Sequence, residues 1–134
     1  MSYRSDVRFR LLKDDYAKLE KDFFANATDD YEKNFWENKD IYKEEKDSKT
    51  IYFGWDGVKW YRHIGDDAFK FVDFIMDFVL DLDTYSYGII GEELDDVDLD
   101  GNGEIEYISV ARSFEDDTQI WCWQFGKNCK ESKY

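Results

Sequence analysis

The sequence predicts a single α+β domain over residues 1–134, with a mainly antiparallel sheet and two main helices in the order β-α-β-β-α-β-β-β. Three observations lead to this prediction. The chain has 134 residues, which is a usual length for one domain. Apolar residues recur at every second position in some segments and at helical spacing in others. With 11 Phe, 10 Tyr and 5 Trp, the chain has enough apolar mass for a core, although 37% of its residues are charged.

The first two elements follow from the spacing of the apolar residues. Residues 6–12 alternate between apolar and mostly basic side chains, which predicts a strand with one buried face. Residues 13–27 place Tyr16, Leu19 and Phe23 at steps of three and four, which predicts a helix with one buried side. The chain is therefore expected to begin with a strand that leads into a helix.

The next segment, residues 28–49, is rich in charge and has few apolar residues, so we interpret it as a short helix or a mobile insertion. Residues 51–63 then contain two aromatic runs that are separated by Asp56 and Gly57. The Asp-Gly dipeptide favours a two-residue type I′ turn, because this turn needs positive φ at both residues. The pattern predicts a β-hairpin centred on Asp56 and Gly57.

Residues 66–82 are predicted to form the second main helix. Its charged residues fall at steps of three and four and make one narrow polar stripe: Asp66, Lys70, Asp73, Asp77 and Asp81. A helix whose remaining surface is apolar is expected to lie across the sheet. The carboxylates of the stripe have two interpretations, which are a solvated face of a core helix and a contact for a basic partner.

Three more strands are predicted after this helix, at residues 85–93, 104–114 and 118–125. These segments are rich in β-branched and aromatic residues, which favour strands. The acidic stretch that begins at Asp96 is expected to be the loop between the first two of them.

Acidic residues are concentrated in one part of the chain. The formal net charge is −14, and residues 66–117 hold 17 acidic residues against two basic ones, Lys70 and Arg112. Two explanations stay open, which are a negative surface that favours solubility and a surface that binds a basic partner. The charge argues against direct binding of nucleic acid, because such binding needs clusters of Lys and Arg.

The acidic stretch also contains a partial calcium-loop motif. Asp98, Asp100 and Asn102 match positions one, three and five of an EF-hand loop, and Gly103 matches position six. The match fails at position twelve, where Ser109 replaces the bidentate glutamate, and the flanking segments are predicted strands. A calcium site and a hairpin loop with positive φ at Asn and Gly both remain open.

The sequence contains no motif that indicates catalysis. The single histidine, His63, is not accompanied by a nucleophile motif, and Cys122 and Cys129 lack the paired spacing of a zinc site. The first residues include no apolar signal-peptide region, and aspartates interrupt the most apolar segment. We therefore expect a non-enzymatic, cytoplasmic protein without a membrane segment.

In size and acidity, the chain resembles small phage-encoded anti-defence proteins, such as anti-CRISPR and anti-restriction DNA mimics, and also immunity proteins that neutralise basic nucleases. The resemblance implies an inhibitor or decoy in the host cytoplasm, whose carboxylates take the place of phosphates on a nucleic-acid-handling partner such as a nuclease. The expected contact residues are Asp73, Asp77, Asp81, Glu92, Glu93, Asp95, Asp96, Asp98 and Asp100. The alternative is a calcium-binding structural or regulatory module that uses residues 96–109, with Asp98, Asp100 and Asn102 as ligands.

Overall fold

The computed structural model describes residues 4–27, 29–63, 65, 69–93, 96–109, 121–122 and 127–128. As predicted, the fold belongs to the α+β class, and its main sheet is antiparallel. In chain order, the elements are β1 (Ser5–Leu12), α1 (Lys13–Asn26), α2 (Asp30–Glu37), β2 (Ile41–Glu45), β3 (Thr50–Val58), α3 (Lys70–Leu80), β4 (Tyr85–Ile90), β5 (Val97–Asn102), β6 (Trp121–Cys122) and β7 (Lys127–Asn128). The predicted order therefore lacked one helix, α2, and placed several strands differently.

Five strands form the main sheet in the order β2-β3-β1-β4-β5, with every neighbouring pair antiparallel. The first strand, β1, lies at the centre, where Phe9 is opposite Phe53 of β3 on one side and Tyr87 of β4 on the other. The two edges of this sheet are β2 and β5. The short strands β6 and β7 pair with each other in a separate sheet.

One face of the sheet packs against the helices and forms the core. The burial of Tyr16, Leu19 and Phe23 on α1 confirms the helical periodicity of that segment. The apolar side of α3 is buried in the same cluster, although the described part of this helix begins at Lys70 and ends at Leu80, and residues 66–68 lie outside the described residues. The core therefore forms where the 3.6-residue and two-residue patterns predict apolar faces.

The opposite face of the sheet is covered as well, so the prediction of a half-buried first strand is wrong. Arg8 and Arg10 lie on this face, and they are only 3% and 9% exposed. The chain that follows β5 crosses the face, since the Ile108 N–H donates to Ser86 Oγ at 2.8 Å and Arg10 Nη1 donates to the Glu106 carbonyl at 3.0 Å. In β1, the apolar residues thus point to one face of the sheet and the basic residues to the other, and both faces are covered.

In the segment interpreted as a short helix or a mobile insertion, the described residues 29–49 form the helix α2 and the strand β2, so the helical alternative is confirmed. The helix α2 begins after Asp29, whose carboxylate accepts the Glu32 N–H at 3.0 Å and caps the helix. Trp36 on α2 is buried and stacks on Phe23 of α1 with ring centres 4.9 Å apart. The strand β2, which follows α2 in the chain, pairs with β3 and forms one edge of the main sheet.

The hairpin predicted at Asp56 and Gly57 is wrong, because β3 continues through both residues. The actual hairpin joins β2 to β3 through residues 46–49, and Lys49 has the positive φ there, at 57°. Asp56 and Gly57 instead lie together opposite Asp6 of β1 in a β-bulge, with a φ of 61° at Gly57. A bulge and a type I′ turn both use positive φ, so the same dipeptide suits either structure.

The strands after α3 differ from the prediction in their positions. The strand predicted at 85–93 is confirmed as β4, which ends at Ile90. The acidic stretch, predicted as a loop, forms the strand β5 and pairs with β4. The strand predicted at 104–114 is wrong in its described part, because residues 104–109 form no strand; residues 110–114 lie outside the described residues. Of the strand predicted at 118–125, the structure describes only β6.

Candidate functional site

The fold places the acidic residues predicted as partner contacts in three separate regions. Asp73, Asp77 and Asp81 lie on and just after α3, Glu92, Glu93 and Asp96 lie in the connection between β4 and β5, and Asp98 and Asp100 lie on β5. Asp95 lies outside the described residues. The three regions differ in how their carboxylates are paired, and this difference selects one of them as the candidate site.

Two of the predicted contacts on α3 are paired with a basic residue. Arg62 Nη2 is 3.0 Å from Asp77 Oδ1, and Arg62 Nε is 3.9 Å from Asp73 Oδ1. Asp73 also accepts the backbone N–H of His63 at 3.0 Å. Because Arg62 offsets their charge, Asp73 and Asp77 contribute less negative potential to the surface than their number suggests. Asp81, at the end of the helix, is exposed.

His63 is also occupied in this cluster. Its Nε2 accepts a hydrogen bond from Arg62 Nε at 2.8 Å, and its Nδ1 is 3.6 Å from Asp73 Oδ1. Both ring nitrogens therefore face Arg62 and Asp73.

In the connection between β4 and β5, the Glu92 carboxylate and two backbone hydrogen bonds hold the chain in place. Glu92 Oε2 accepts the backbone N–H of Arg4 at 2.6 Å, which ties this connection to the start of β1. The Asp96 N–H donates to the Glu93 carbonyl at 3.1 Å, and the Asp96 carbonyl accepts the Gly91 N–H at 2.7 Å. These two backbone bonds hold Gly91, Glu93 and Asp96 together at one end of the sheet.

The carboxylates of β5 are held by tyrosines of the neighbouring strand. Asp98 and Asp100 lie on the same side of the sheet as Tyr85 and Tyr87, because side chains two residues apart in a strand share a face. The Tyr85 hydroxyl donates to Asp100 Oδ2 at 3.0 Å, and the Tyr87 hydroxyl donates to Asp98 Oδ2 at 3.4 Å. Each bond is diagonal across the β4–β5 ladder, which is within reach of a long aromatic side chain.

These contacts keep both phenols protonated. Burial raises the pKa of Tyr87 to about 12, and the negative charges of Asp98 and Asp100 add to this increase. Burial and the bond to Asp100 also raise the pKa of Tyr85. A neutral phenol is a hydrogen-bond donor, so each tyrosine limits the motion of a carboxylate while leaving its negative charge in place.

Two further aspartates that the sequence did not single out extend this acidic region. Burial raises the pKa of Asp15 at the start of α1, and the nearby charges of Asp14 and Asp83 add to the increase. Asp83 belongs to the loop between α3 and β4, and this loop contacts the residue that follows β5: a Cβ built on Gly103 would lie 2.7 Å from the Asp83 carbonyl oxygen. The loop and the edge strand are thus in contact.

We call this region the acidic edge, and it comprises Asp15, Asp81, Asp83, Asp98 and Asp100. None of the ion pairs found among the described residues involves Asp81, Asp83, Asp98 or Asp100. The acidic edge therefore gathers three of the nine predicted contacts with two new ones, and four of its five aspartates have no ion-pair partner in the described chain. Asp15 and Asp83 could be found only from the fold, because they are far apart in sequence.

The residues of the calcium-loop motif lie in the strand β5 and not in a loop. Asp98, Asp100 and Asn102 lie in extended backbone, about 6.8 Å apart from one to the next, whereas calcium ligands converge on one ion at about 2.3–2.6 Å. In the described part of the chain, no group of three or more His, Cys, Asp or Glu side chains is arranged to hold a metal ion. The predicted loop conformation is wrong, and calcium binding by these three residues stays a prediction that the strand geometry does not favour.

Comparison of the chain with protein-family models, with curated proteins and with solved structures gives no match in any of the three searches. Over the described residues, none of the helices combines the length and the apolar character that crossing a membrane requires.

Proposed function

We propose that this chain is a non-enzymatic acidic binding protein, and that its acidic edge occupies a basic surface on a nucleic-acid-handling protein such as a nuclease. One observation carries the proposal: the edge strand β5 presents Asp98 and Asp100 without an ion-pair partner in the described chain. Exposed carboxylates of this kind attract a basic partner over a distance and speed its association.

The spacing and rigidity of these carboxylates support the proposal. Asp98 and Asp100 are about 6.8 Å apart along the strand, so one extended array can meet several Lys or Arg side chains. Because Tyr85 and Tyr87 already hold the two carboxylates, binding costs less side-chain entropy than it would for freely rotating acids.

The other features of β5 also suit a contact surface. Val97 and Leu99 alternate with the aspartates on the opposite side of the strand, and they are 39% and 44% exposed. One long side of β5 is the boundary of the main sheet, where backbone N–H and C=O groups have no neighbouring strand among the described residues. Apolar contact and backbone hydrogen bonds would slow release of a partner that charge has brought in.

The biological role that fits this chemistry is that of an inhibitor or decoy of the anti-defence or immunity type. Carboxylates in a fixed array take the place of phosphates, and the basic groove of the partner is then blocked for its nucleic acid. With a net charge of −14, the chain itself is a poor ligand for nucleic acid. If the protein is phage-encoded, it acts in the host cytoplasm.

The test combines capture with a matched pair of variants. The unmodified protein is used to capture partners from host lysate, and the affinity of each purified partner is then measured at rising salt. We expect a basic nucleic-acid-handling protein whose affinity falls by about tenfold or more between about 0.05 and 0.3 M salt. The double variant Asp98→Asn, Asp100→Asn should bind it at least about tenfold more weakly.

The control is Asp73→Asn, Asp77→Asn, which removes the same formal charge from two residues that share an ion-pair partner, Arg62. This control should bind within about threefold of the unmodified protein. Equal losses in the two double variants would show that only net charge matters, and an affinity that does not change with salt would contradict the proposal.

A further inference from the structure

A second surface lies at the other edge of the main sheet, next to β2. A groove of about 440 Å³ opens there between α1, the end of α2 and β2, and its lining includes Tyr16, Glu20, Trp36, Glu37, Lys39 and Tyr42. Because β2 and β5 are separated by four strand spacings, the sheet edge at which the groove opens is about 19 Å from Asp98 and Asp100 on β5. The groove is therefore a separate site.

The groove already holds an ammonium group against aromatic rings. Lys39 Nζ lies 3.9 Å from the centre of the Trp36 ring, 5.7 Å from that of Tyr16 and 5.9 Å from that of Trp55. The same nitrogen donates to the Trp36 carbonyl at 2.6 Å. The ring of Tyr42 lies 5.6 Å from that of Tyr16 and forms a further aromatic wall. This is the arrangement in which proteins bind cationic nitrogen through ring quadrupoles.

The charges in the groove favour a cation over an anion. Glu20 Oε2 accepts the Trp36 indole N–H at 2.9 Å and the Tyr16 hydroxyl at 3.5 Å, so its carboxylate is fixed next to the rings. Glu37 also lines the groove. With Lys39 protonated, these three charged groups sum to a net charge of −1, and without Lys39 they sum to −2.

A primary ammonium is not the best occupant of this groove. Burial lowers the pKa of Lys39 to about 8, although Glu20 and Glu37 act in the opposite direction. The shift indicates that loss of water is costly for this compact and strongly hydrated ammonium. A quaternary ammonium releases no N–H proton, holds water weakly, and is a preferred ligand of aromatic cages.

We propose that the groove between Tyr16, Trp36 and Tyr42 is a binding site for a quaternary or trimethylated ammonium group, and that Lys39 is the chain's own occupant, which leaves when the ligand enters. Because the site does not involve β5, the proposal stands or falls independently of the function proposed for the acidic edge. The exposed side of the groove, at Tyr42, is the entrance.

The first test removes the internal occupant. Lys39→Met keeps an unbranched chain and deletes the charge, and the probe is tetramethylammonium chloride. Binding is followed by NMR at the Trp36 indole N–H, which reports on the hydrogen bond to Glu20. We expect the variant to bind the probe at least tenfold more tightly than the unmodified protein, and the additional change Glu20→Gln to reverse most of this gain.

Two controls separate the site from general charge effects. Lys33→Met removes an exposed lysine from α2 and should leave probe affinity unchanged. Titration with sodium chloride at equal concentration corrects for ionic strength. If folded Lys39→Met binds the probe no more tightly than Lys33→Met does, the proposal is overturned.

A second measurement uses the unmodified protein and does not depend on the folding of a variant. Between pH 7 and pH 9.5 Lys39 loses its proton and competes less for the rings. The pKa values of Tyr16 and Tyr42 are both raised, mainly by burial, so these phenols stay neutral. Probe affinity should therefore rise severalfold over this range, and an affinity that is constant or falls contradicts the proposal.

Discussion

Arg10 shows how a charged residue is accommodated on a covered face of the sheet. Its guanidinium bonds Glu45 through Nε at 2.7 Å and Nη2 at 3.2 Å, and it lies over the Tyr52 ring at 4.8 Å. Burial alone would raise the pKa of Glu45, but the hydrogen bonds from Arg10 and Thr50 outweigh it and lower that pKa. The pair therefore stabilises the fold while Glu45 is ionised.

We predict that Glu45→Gln lowers the free energy of unfolding by about 2 kcal/mol at pH 7, because it leaves the Arg10 charge without its partner. A carboxyl whose folded pKa is lowered stabilises the protein above its unfolded pKa, and this contribution is lost as the pH falls through the folded pKa. The difference between the variant and the unmodified protein should therefore shrink below about pH 4.5. Urea unfolding at several pH values measures this difference in the free energy of unfolding.

The neighbouring Glu44→Gln is the matched control for this prediction. Glu44 forms an ion pair with Lys13 at 3.1 Å, but both side chains are largely exposed. An exposed pair contributes little, so the control should lose at most about 0.5 kcal/mol. Equal losses at positions 44 and 45 would contradict the role assigned to the pair of Arg10 and Glu45.

Tyr87 gives a prediction for the alkaline range. Because its pKa is raised from the usual value near 10 to about 12, the folded protein holds this proton longer than the unfolded chain does. Stability should therefore fall as pH rises from 10 to 12, and Tyr87→Phe should make that fall less steep. Urea unfolding at pH 9 to 12 measures the slope, with Tyr31→Phe, at an exposed tyrosine, as the control. A slope that Tyr87→Phe leaves unchanged would contradict the assignment.

Among the elements, the two main helices, α1 and α3, were predictable because their signal is local. The steps between Tyr16, Leu19 and Phe23 are enough to define α1, and the charged stripe is enough to define the exposed side of α3. The strand β5 was missed although Val97 and Leu99 alternate with aspartates, because Asp, Gly and Asn are uncommon in strands. Pairing with β4 provides its backbone hydrogen bonds, and its position at the edge leaves the aspartates in water.

The candidate site was harder to predict from the sequence than the elements, because it depends on long-range pairing of strands. Asp98 and Asp100 were predicted contacts, but only the register of β4 against β5 brings Tyr85 and Tyr87 to them. Likewise, nothing local to Asp56 and Gly57 decides between a turn and a bulge. The pairing of β3 with β1 decides it, because the bulge lies opposite Asp6. The preceding hairpin was not recognised, since β2 is short and rich in charge.

Substitutions at two glycines test the bulge in β3 and the contact between β5 and the loop before β4. Gly57→Ala places a Cβ in open space, so it should cost only the left-handed backbone strain, about 1 kcal/mol. Gly103→Ala adds a collision to a φ of 80°, because its Cβ would lie 2.6 Å from Thr84 Oγ1, and we expect about 2 kcal/mol or more. Thermal or urea unfolding compares the two variants. A larger loss at Gly57 would contradict the contact between β5 and the loop before β4.

At the scale of the whole molecule, the unbalanced charge should affect stability and binding in opposite directions. Carboxylates that have no basic partner repel one another, so added salt should stabilise the fold at neutral pH. The double variant Asp98→Asn, Asp100→Asn should gain about 0.5 kcal/mol of stability at low salt. Calorimetric melting at two salt concentrations measures both effects. A less stable double variant would show that the two aspartates serve the fold.

The position of Asp98 and Asp100 on an outer strand has a consequence for self-assembly. If two copies met edge to edge along β5, each row of aspartates would face the same row on the other copy. Fibre-like stacking through this strand is therefore disfavoured near neutral pH, while an extended segment with lysines or arginines meets no such barrier.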